Sequence, residues 1–195
     1  MNTANSLNPP RSVALTLLLA VTILAVCCSR GPQINPTPSP PQPNRSDLLA
    51  GRVVRIADGD TVTLLDANNT EHRIRLQGID APESHQDFGA QSKKNLSDMI
   101  YNQEVTADCD KTDQYGRQVC KILLKDKDIN LEQIKAGMAW HYKEYEREQS
   151  PQDREVYARA EDEAHRTRRG LWADPNPVEP GEFRREQRRE RKAKR

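Results

Sequence analysis

The chain has 195 residues and a net charge of only +1, a length that suits one domain of ordinary size. With 35% hydrophobic and 30% charged residues, it is too polar for several membrane spans, because each span needs about 20 consecutive apolar residues. Its four cysteines are too few for a disulfide-dense scaffold.

The charge is distributed unevenly along the chain. Residues 184–195 carry eight basic and two acidic side chains, whereas residues 46–183 carry 19 basic and 27 acidic ones. Overall charge is therefore no argument for nucleic-acid binding, and any such argument must come from particular residues.

An apolar stretch at residues 13–28 follows Arg11 near the N-terminus. As a helix of 16 residues it would reach about 24 Å, which is short of a hydrocarbon core of about 30 Å. Leu24-Ala25-Val26-Cys27 also resembles a bacterial lipoprotein cleavage site. We expect residues 1–28 to be a signal peptide, a lipoprotein signal or a membrane anchor, and to place the protein outside the cytoplasm or in the cell envelope.

The next boundaries follow from composition. Six prolines between residues 32 and 43 favour an extended linker over residues 29–46. We expect the folded domain to span residues 47–178. A basic C-terminal tail follows at residues 179–195, as a disordered segment or a frayed helix end.

The folded domain begins with three short predicted strands, at residues 51–56, 61–65 and 71–77. A turn signal at Asp58-Gly59-Asp60 separates the first two. In the third strand Ile74 and Leu76 alternate with polar residues, so one face is expected to be buried. The three strands predict a meander.

The rest of the domain predicts helices around a further hairpin. Helical spacing of apolar residues predicts helices at residues 89–101, 130–138 and 151–169, with Val156, Ala160, Ala164 and Leu171 as the buried stripe of the last. A hairpin is predicted from residues 105–109 and 119–124. The pattern fits an α+β fold, a five-stranded Greek-key β-barrel of the OB type with about three helices, although it does not exclude other α+β arrangements.

Three acidic and two basic residues near predicted loops have the chemistry of a phosphodiester site. Asp60, Asp80 and Glu83 are hard oxygen donors of the kind that Ca²⁺ prefers, and no cysteine or histidine cluster has zinc spacing. Arg75 and Arg117 each offer a planar guanidinium group that matches a phosphate. Such groups stabilise the negative charge that gathers on a phosphodiester attacked by water.

Three sequence blocks carry a family resemblance. DGDTVTL at residues 58–64, RLQGIDAPE at 75–83 and DQYGR at 113–117 together resemble the thermonuclease family of staphylococcal-nuclease-like domains. The resemblance covers roughly residues 50–174. It implies a calcium-dependent endonuclease that cleaves DNA and RNA to 5′-hydroxyl and 3′-phosphate ends. With the N-terminal segment, the expectation is an exported enzyme, and a monomer is the default expectation.

The resemblance also implies a role for individual residues. Asp60, Asp80 and the backbone carbonyl of Ala81 are the implied Ca²⁺ ligands, and Glu83 is the implied general base. Family members often carry threonine where Ala81 stands.

The implied contacts with the substrate come from both arginines and two aromatic residues. Arg75 and Arg117 would clamp the phosphate, Tyr115 would contact a phosphate, and Trp140 would lie near the substrate. Gln114 departs from the lysine or arginine usual in the third block, which predicts weaker substrate binding.

Several residues have a purely structural alternative. Arg75 and Asp80 could form a surface ion pair, and Trp140 could be a core aromatic. Cys109 and Cys120, on two strands expected to pair, could form a disulfide or remain two buried thiols.

Two other functions remain open. The chain could be a noncatalytic module of the cell envelope that binds nucleic acid or protein, although such modules have typically lost the charged residues present here. The basic tail could also dock on anionic lipid or recruit nucleic acid.

Overall fold

The computed structural model describes residues 48–195. The predicted export segment, residues 1–28, and the predicted linker, residues 29–46, lie outside the described residues and stay predictions. Within residues 48–195 no helix is both long and apolar enough to cross a membrane.

The core of the fold is a small closed β-barrel. Its sheet has the order β3-β2-β1-β5-β6-β7, and β3 also pairs in parallel with β6, which closes the barrel on five strands. A separate two-stranded sheet joins β4 and β8. The strands are β1 (Leu49–Ile56), β2 (Thr61–Leu65), β3 (Glu71–Leu76), β4 (Ile79–Asp80), β5 (Glu104–Thr112), β6 (Gln118–Leu124), β7 (Lys127–Asp128) and β8 (Trp140–His141).

Within residues 48–195, four α-helices and two short 3-10 segments accompany the barrel. The helices are α1 (Gly89–Ile100), α2 (Ile129–Lys135), α3 (Pro151–Arg166) and α4 (Pro180–Ala193). The 3-10 segments are Lys143–Glu148 and Gly170–Ala173. The predicted α+β barrel of the OB type is confirmed, with one helix more than expected.

The barrel interior is filled by the apolar faces of the strands. Val62, Leu64, Ile74 and Leu76 are almost completely buried, as the alternation in β3 predicted for the last two. Because the meander β1-β2-β3 curls until β3 meets β6, these side chains point into one closed interior. Because β2 and β3 are antiparallel, the start of β2 at Thr61 lies beside the end of β3 at Arg75, at one end of the barrel.

One part of the predicted buried stripe of α3 is wrong. Val156 is 37% exposed, and the neighbouring Tyr157 is 1% exposed and takes the interior position. Tyr157 can do so because its hydroxyl donates a hydrogen bond to Asp128 Oδ2 at 2.8 Å, which satisfies the buried polar atom. Ala160 and Ala164 are buried as predicted.

The two cysteines of the second hairpin form a disulfide. Cys109 and Cys120 are directly opposed in the pairing of β5 and β6, with their Cα atoms 4.0 Å apart. The structure thus decides between the two alternatives that the sequence left open.

The basic tail is a helix. Helix α4 begins after Glu179, has Pro180 in its first turn, and continues to Ala193. A proline is well accommodated there because its missing N–H is not needed in the first turn. The predicted limits of the folded domain, residues 47–178, stay a prediction, but the helix beyond them contacts the functional site.

Candidate active site

An open cleft of about 800 Å³ lies at the end of the barrel where β2 begins and β3 ends. Six of the eight residues predicted for the site line it: Asp60, Arg75, Ala81, Glu83, Tyr115 and Arg117. Asp80 reaches the same site through its ion pairs with Arg75 and Arg184. The carboxylates and guanidinium groups picked out from separate sequence blocks are therefore brought together.

The turn before β2 positions Asp60. One carboxylate oxygen of Asp60 accepts a hydrogen bond from the Ala81 amide at 2.8 Å, and the other accepts one from the Thr61 hydroxyl at 3.0 Å. The Gln133 side chain of α2 donates a hydrogen bond to the Gly59 carbonyl at 2.7 Å and so stabilises the turn. The Asp60 side chain is thus fixed from both sides of the turn.

Glycine is required within this turn because the backbone passes very close to α1. A Cβ atom at Gly59 would lie 1.9 Å from the Ser92 hydroxyl oxygen and 2.8 Å from the Ala81 Cβ. The close approach explains the glycine between the two aspartates. The Asp58-Gly59-Asp60 segment is a turn, and it also carries a residue of the site.

Arg75, at the end of β3, joins the two aspartates. Its Nη1 lies 2.8 Å from Asp60 Oδ2 and its Nη2 lies 3.0 Å from Asp80 Oδ1. The three side chains are only 12%, 9% and 5% exposed, so this is not the surface ion pair that the sequence left open. In addition, the Arg75 guanidinium carbon lies 6.0 Å from the centre of the Tyr142 ring.

Asp80 and Glu83 face a second guanidinium group, that of Arg184 in α4. Arg184 Nη2 lies 2.9 Å from Asp80 Oδ2, and Arg184 Nη1 lies 2.9 Å from Glu83 Oε1 and 3.2 Å from Asp80 Oδ1. Such a fork is the geometry in which arginine binds carboxylates most strongly.

Arg117 is positioned by the loop between β5 and β6. Its Nε lies 2.8 Å from Asp113 Oδ2, and Asp113 Oδ1 accepts the backbone amides of Tyr115 and Arg117, both at 2.9 Å. Burial alone would raise the pKa of Asp113, but these bonds lower it below its usual value. The Tyr115 ring is 70% exposed and lies 5.5 Å from the Arg117 guanidinium carbon.

Two carboxyl groups of the site, Asp58 and Asp80, have raised pKa values. Burial and the neighbouring charge of Asp60 raise the pKa of Asp58 to about 6. Burial also raises the pKa of Asp80, although the hydrogen bonds from Arg184 and the charge of Arg75 act in the opposite direction. Burial thus disfavours the charged forms of these carboxyl groups, and a nearby cation would stabilise them.

The donor chemistry fits a hard divalent cation. Asp60 and Asp80 share one guanidinium group and so lie close together, with the Ala81 backbone next to them. Among residues 48–195 no three acidic, histidine or cysteine side chains form a ready metal site. In this structure the carboxylates face arginine side chains instead. Arg75 contacts Asp60 and Asp80, and Arg184 contacts Asp80 and Glu83.

Trp140 lies apart from the cleft. It is 8% exposed, and its ring meets the Trp172 ring edge-on with centroids 5.3 Å apart. Only its backbone is connected to the site, because Trp140 pairs with Asp80 between β8 and β4. The arrangement fits the alternative of a core aromatic, and the predicted contact with the substrate has no support from this geometry.

Arg184 and Tyr142 are residues of the site that the sequence did not indicate. Tyr142 lines the cleft, and burial together with the charge of Asp80 raises its pKa to about 12. Arg184 lies in a run of arginines in which no local pattern marks one member.

Comparison with known proteins supports the resemblance seen in the sequence. The family model described as "Staphylococcal nuclease homologue" matches residues 73–174. An "Uncharacterized endonuclease" of Haemophilus influenzae is 38% identical over 177 residues, which cover 91% of this chain and 87% of the relative. The "Micrococcal nuclease" of Shigella flexneri is 40% identical over 144 residues, covering 69% of this chain and 80% of the relative.

A third relative, "Protein ParB" of Escherichia coli, is 37% identical over 147 residues, covering 71% of this chain and 80% of the relative. The matched region contains the second and third sequence blocks and the closed barrel agrees with the fold they implied. The chain therefore belongs to the staphylococcal nuclease homologue family.

Proposed function

We propose that this member of the family, a phosphodiester-hydrolysing endonuclease, requires calcium and cleaves DNA and RNA to 5′-hydroxyl and 3′-phosphate ends outside the cytoplasm. The observation that carries the proposal is the convergence of Asp60, Asp80, Glu83, Arg75 and Arg117 at one cleft. A surface that only binds nucleic acid would not need acidic residues at this position. Here two buried carboxylates, those of Asp60 and Asp80, and a third, that of Glu83, share one cleft with two arginines.

The residues of the site would have different roles in binding the metal ion and the phosphate. Asp60, Asp80 and the Ala81 carbonyl would hold the calcium ion, which supplies positive charge for the phosphoryl oxygens when bound. Arg75 and Arg117 would bind the equatorial oxygens, where negative charge grows in the transition state. Tyr115, exposed at the rim, would contact a neighbouring phosphate.

Glu83 is the residue that would activate water. Its carboxylate is 33% exposed in the cleft and is in contact with Arg184, so it has access both to solvent and to the site. A carboxylate there can orient a water molecule or accept its proton during attack on phosphorus. The names of the relatives, endonuclease and micrococcal nuclease, support the same reaction class.

Export or membrane attachment rests on the apolar segment at residues 13–28, which lies outside the described residues. The disulfide between Cys109 and Cys120 agrees with an oxidising compartment, because such bonds are rare in the cytosol. Fractionation of cells that produce the full chain tests this part: recovery in the cytoplasm alone would contradict it.

The function itself is tested by digestion of single-stranded DNA and of RNA with the full chain, in calcium and in EGTA. We expect cleavage only in calcium, with 5′-hydroxyl and 3′-phosphate ends on the products. Cleavage that is unaffected by EGTA would contradict the calcium requirement, and 5′-phosphate ends would contradict the proposed reaction.

Two substitutions separate the nuclease from a noncatalytic binding module. Glu83→Ser and Arg117→Ala should each lower turnover by about two orders of magnitude or more, since each removes a group placed at the reacting phosphate. Arg55→Ala, which removes an exposed arginine of β1, is the matched control and should leave turnover unchanged. A chain that binds nucleic acid equally well in all variants and cleaves in none, wild type included, is a binding module.

The quaternary structure belongs to the same proposal. We expect a monomer, and measurement of the molar mass in solution tests this expectation.

A further inference from the structure

The most unexpected contact in the molecule joins its C-terminal helix to the proposed catalytic carboxylates. Arg184, in the second turn of α4, lies 101 residues from Glu83 and 104 residues from Asp80 along the chain. It nevertheless makes hydrogen bonds to both Asp80 oxygens and to one oxygen of Glu83. The Arg184 guanidinium group therefore binds both Asp80, the proposed cation ligand, and Glu83, the residue proposed to activate water.

The burial of Asp80 and Arg184 and the charge of Arg184 are consistent with a stable ion pair. Asp80 is 5% exposed and the Arg184 side chain 33%, so the pair is largely withdrawn from water. Burial alone would lower the pKa of Arg184, but the hydrogen bonds and charges of Asp80 and Glu83 outweigh it and raise the pKa. The guanidinium group is thus held as a cation at the carboxylates.

The rest of α4 is attached lightly. The Phe183 ring lies 5.4 Å from the His85 ring, the Gln187 amide hydrogen-bonds with the same ring, and Gln86 donates to the Val178 carbonyl before the helix at 2.6 Å. Pro180 is the one buried residue of the helix. Because α4 covers so little apolar surface, the Arg184 contacts are a main part of what holds the helix against the domain.

We propose that α4 is an electrostatic latch, in which the Arg184 guanidinium binds the cation ligand Asp80 and the water-activating residue Glu83 and must leave before a divalent cation binds at Asp80. The latch rests on the proposed function, because it needs Asp80 to be a cation ligand. The same carboxylate oxygens cannot serve both cations, so each lowers the affinity of the site for the other.

The competition has a reciprocal consequence. If docking of α4 weakens calcium binding, calcium binding must weaken docking of α4 by the same factor. The protein would then be closed at low calcium and open at high calcium, with no other ligand required. This behaviour can be measured without any assay of catalysis.

The first measurement is calcium binding to the full chain by isothermal titration calorimetry. Arg184→Ala should lower the dissociation constant on the order of tenfold, a common size for coupling between two sites. Arg185→Ala is the matched control, since it removes the same charge from the same helix at an exposed position and should leave the constant unchanged.

The second measurement is amide hydrogen exchange of the wild-type chain with and without calcium. Calcium should speed exchange across residues 180–193 while the barrel strands stay protected. This readout uses no variant, so it tests the latch even if Arg184→Ala does not fold.

The outcomes are distinct. Equal calcium affinity of the wild type and Arg184→Ala would overturn the latch and leave the proposed function standing. Tighter binding by Arg184→Ala without faster exchange of α4 in the wild type would mean that Arg184 only repels the ion, and would also overturn the latch. No calcium binding by any of the three proteins would overturn the calcium site, and the latch with it.

Discussion

The position of Arg75 between two buried aspartates leads to a prediction about stability. Arg75 lies 2.8 Å from Asp60 and 3.0 Å from Asp80, and all three side chains are at most 12% exposed. Arg75→Ala removes the cation and leaves two like charges close together. Within residues 48–195 Asp60 has no other ion-pair partner, whereas Asp80 keeps Arg184.

The size of the effect follows from Coulomb's law and from burial. At a separation of about 4 Å and an effective dielectric constant of about 20, each pair interacts by about 4 kcal/mol. Part of this is offset because burying the guanidinium group also removes it from water. Removal of one partner from a buried pair typically lowers stability by about 3–5 kcal/mol. We expect Arg75→Ala to lower the free energy of unfolding by about 3 kcal/mol.

The assay is urea unfolding followed by circular dichroism, in EGTA so that no divalent ion takes the place of the arginine. Arg55→Ala is the control, because Arg55 and Glu71 form an ion pair at 3.2 Å with side chains 64% and 59% exposed. Exposed pairs of this kind contribute less than about 1 kcal/mol. If Arg75→Ala is no more destabilising than Arg55→Ala, Arg75 does not neutralise the two aspartates and this account of the site is wrong.

Three further predictions follow from other contacts. Asp113→Asn should lower stability by about 1–2 kcal/mol at pH 7 and weaken catalysis through Arg117. Because the folded-state pKa of Asp113 is below its ordinary 3.8, the difference from wild type should be complete above that pH and shrink as the pH falls through the folded-state pKa, in unfolding curves at pH 7 and pH 3. Reduction of the Cys109–Cys120 disulfide, whose partners are 11 residues apart, should lower stability by about 3 kcal/mol in urea with and without reductant; an unchanged midpoint would contradict a formed bond. Gly59→Ala should lower the thermal midpoint and destabilise by about 1–3 kcal/mol, because its Cβ would overlap a side chain of α1, and a midpoint equal to wild type would contradict the close approach.

Local sequence patterns predicted much of the barrel. The alternation of Ile74 and Leu76 with polar residues predicted the buried face of β3, and the turn signals separated the strands of the meander. These features depend on residues a few positions apart, so periodicity detects them. The error at Val156 has the same origin: a helix stripe could be drawn through either of two neighbours, and only the hydrogen bond of Tyr157 to Asp128 made the larger residue the buried one.

The sequence also predicted the chemistry of the site, because that chemistry depends on which residue types are present. Hard oxygen donors and guanidinium groups have definite preferences wherever they occur, and the three blocks that carry them resemble one family. Asp60 and Arg75 are brought together by the pairing of β2 with β3. Arg117 reaches the same cleft because β3 closes the barrel on β6, and no single block specifies that pairing. Trp140 is the counterexample: the family resemblance implied a role at the substrate, whereas its side chain is buried and its ring packs against Trp172.

The amino-acid sequence alone thus predicted the fold class, the family and the chemical character of the site. Tertiary structure alone decided which cation the carboxylates face. A basic helix in water and a basic helix docked on a barrel have the same composition and the same periodicity, so nothing in residues 180–193 marks Arg184. Its selection depends on a contact across 104 residues of chain, where the shape of the folded domain presents Asp80 and Glu83 to one guanidinium group and leaves the other arginines in solvent.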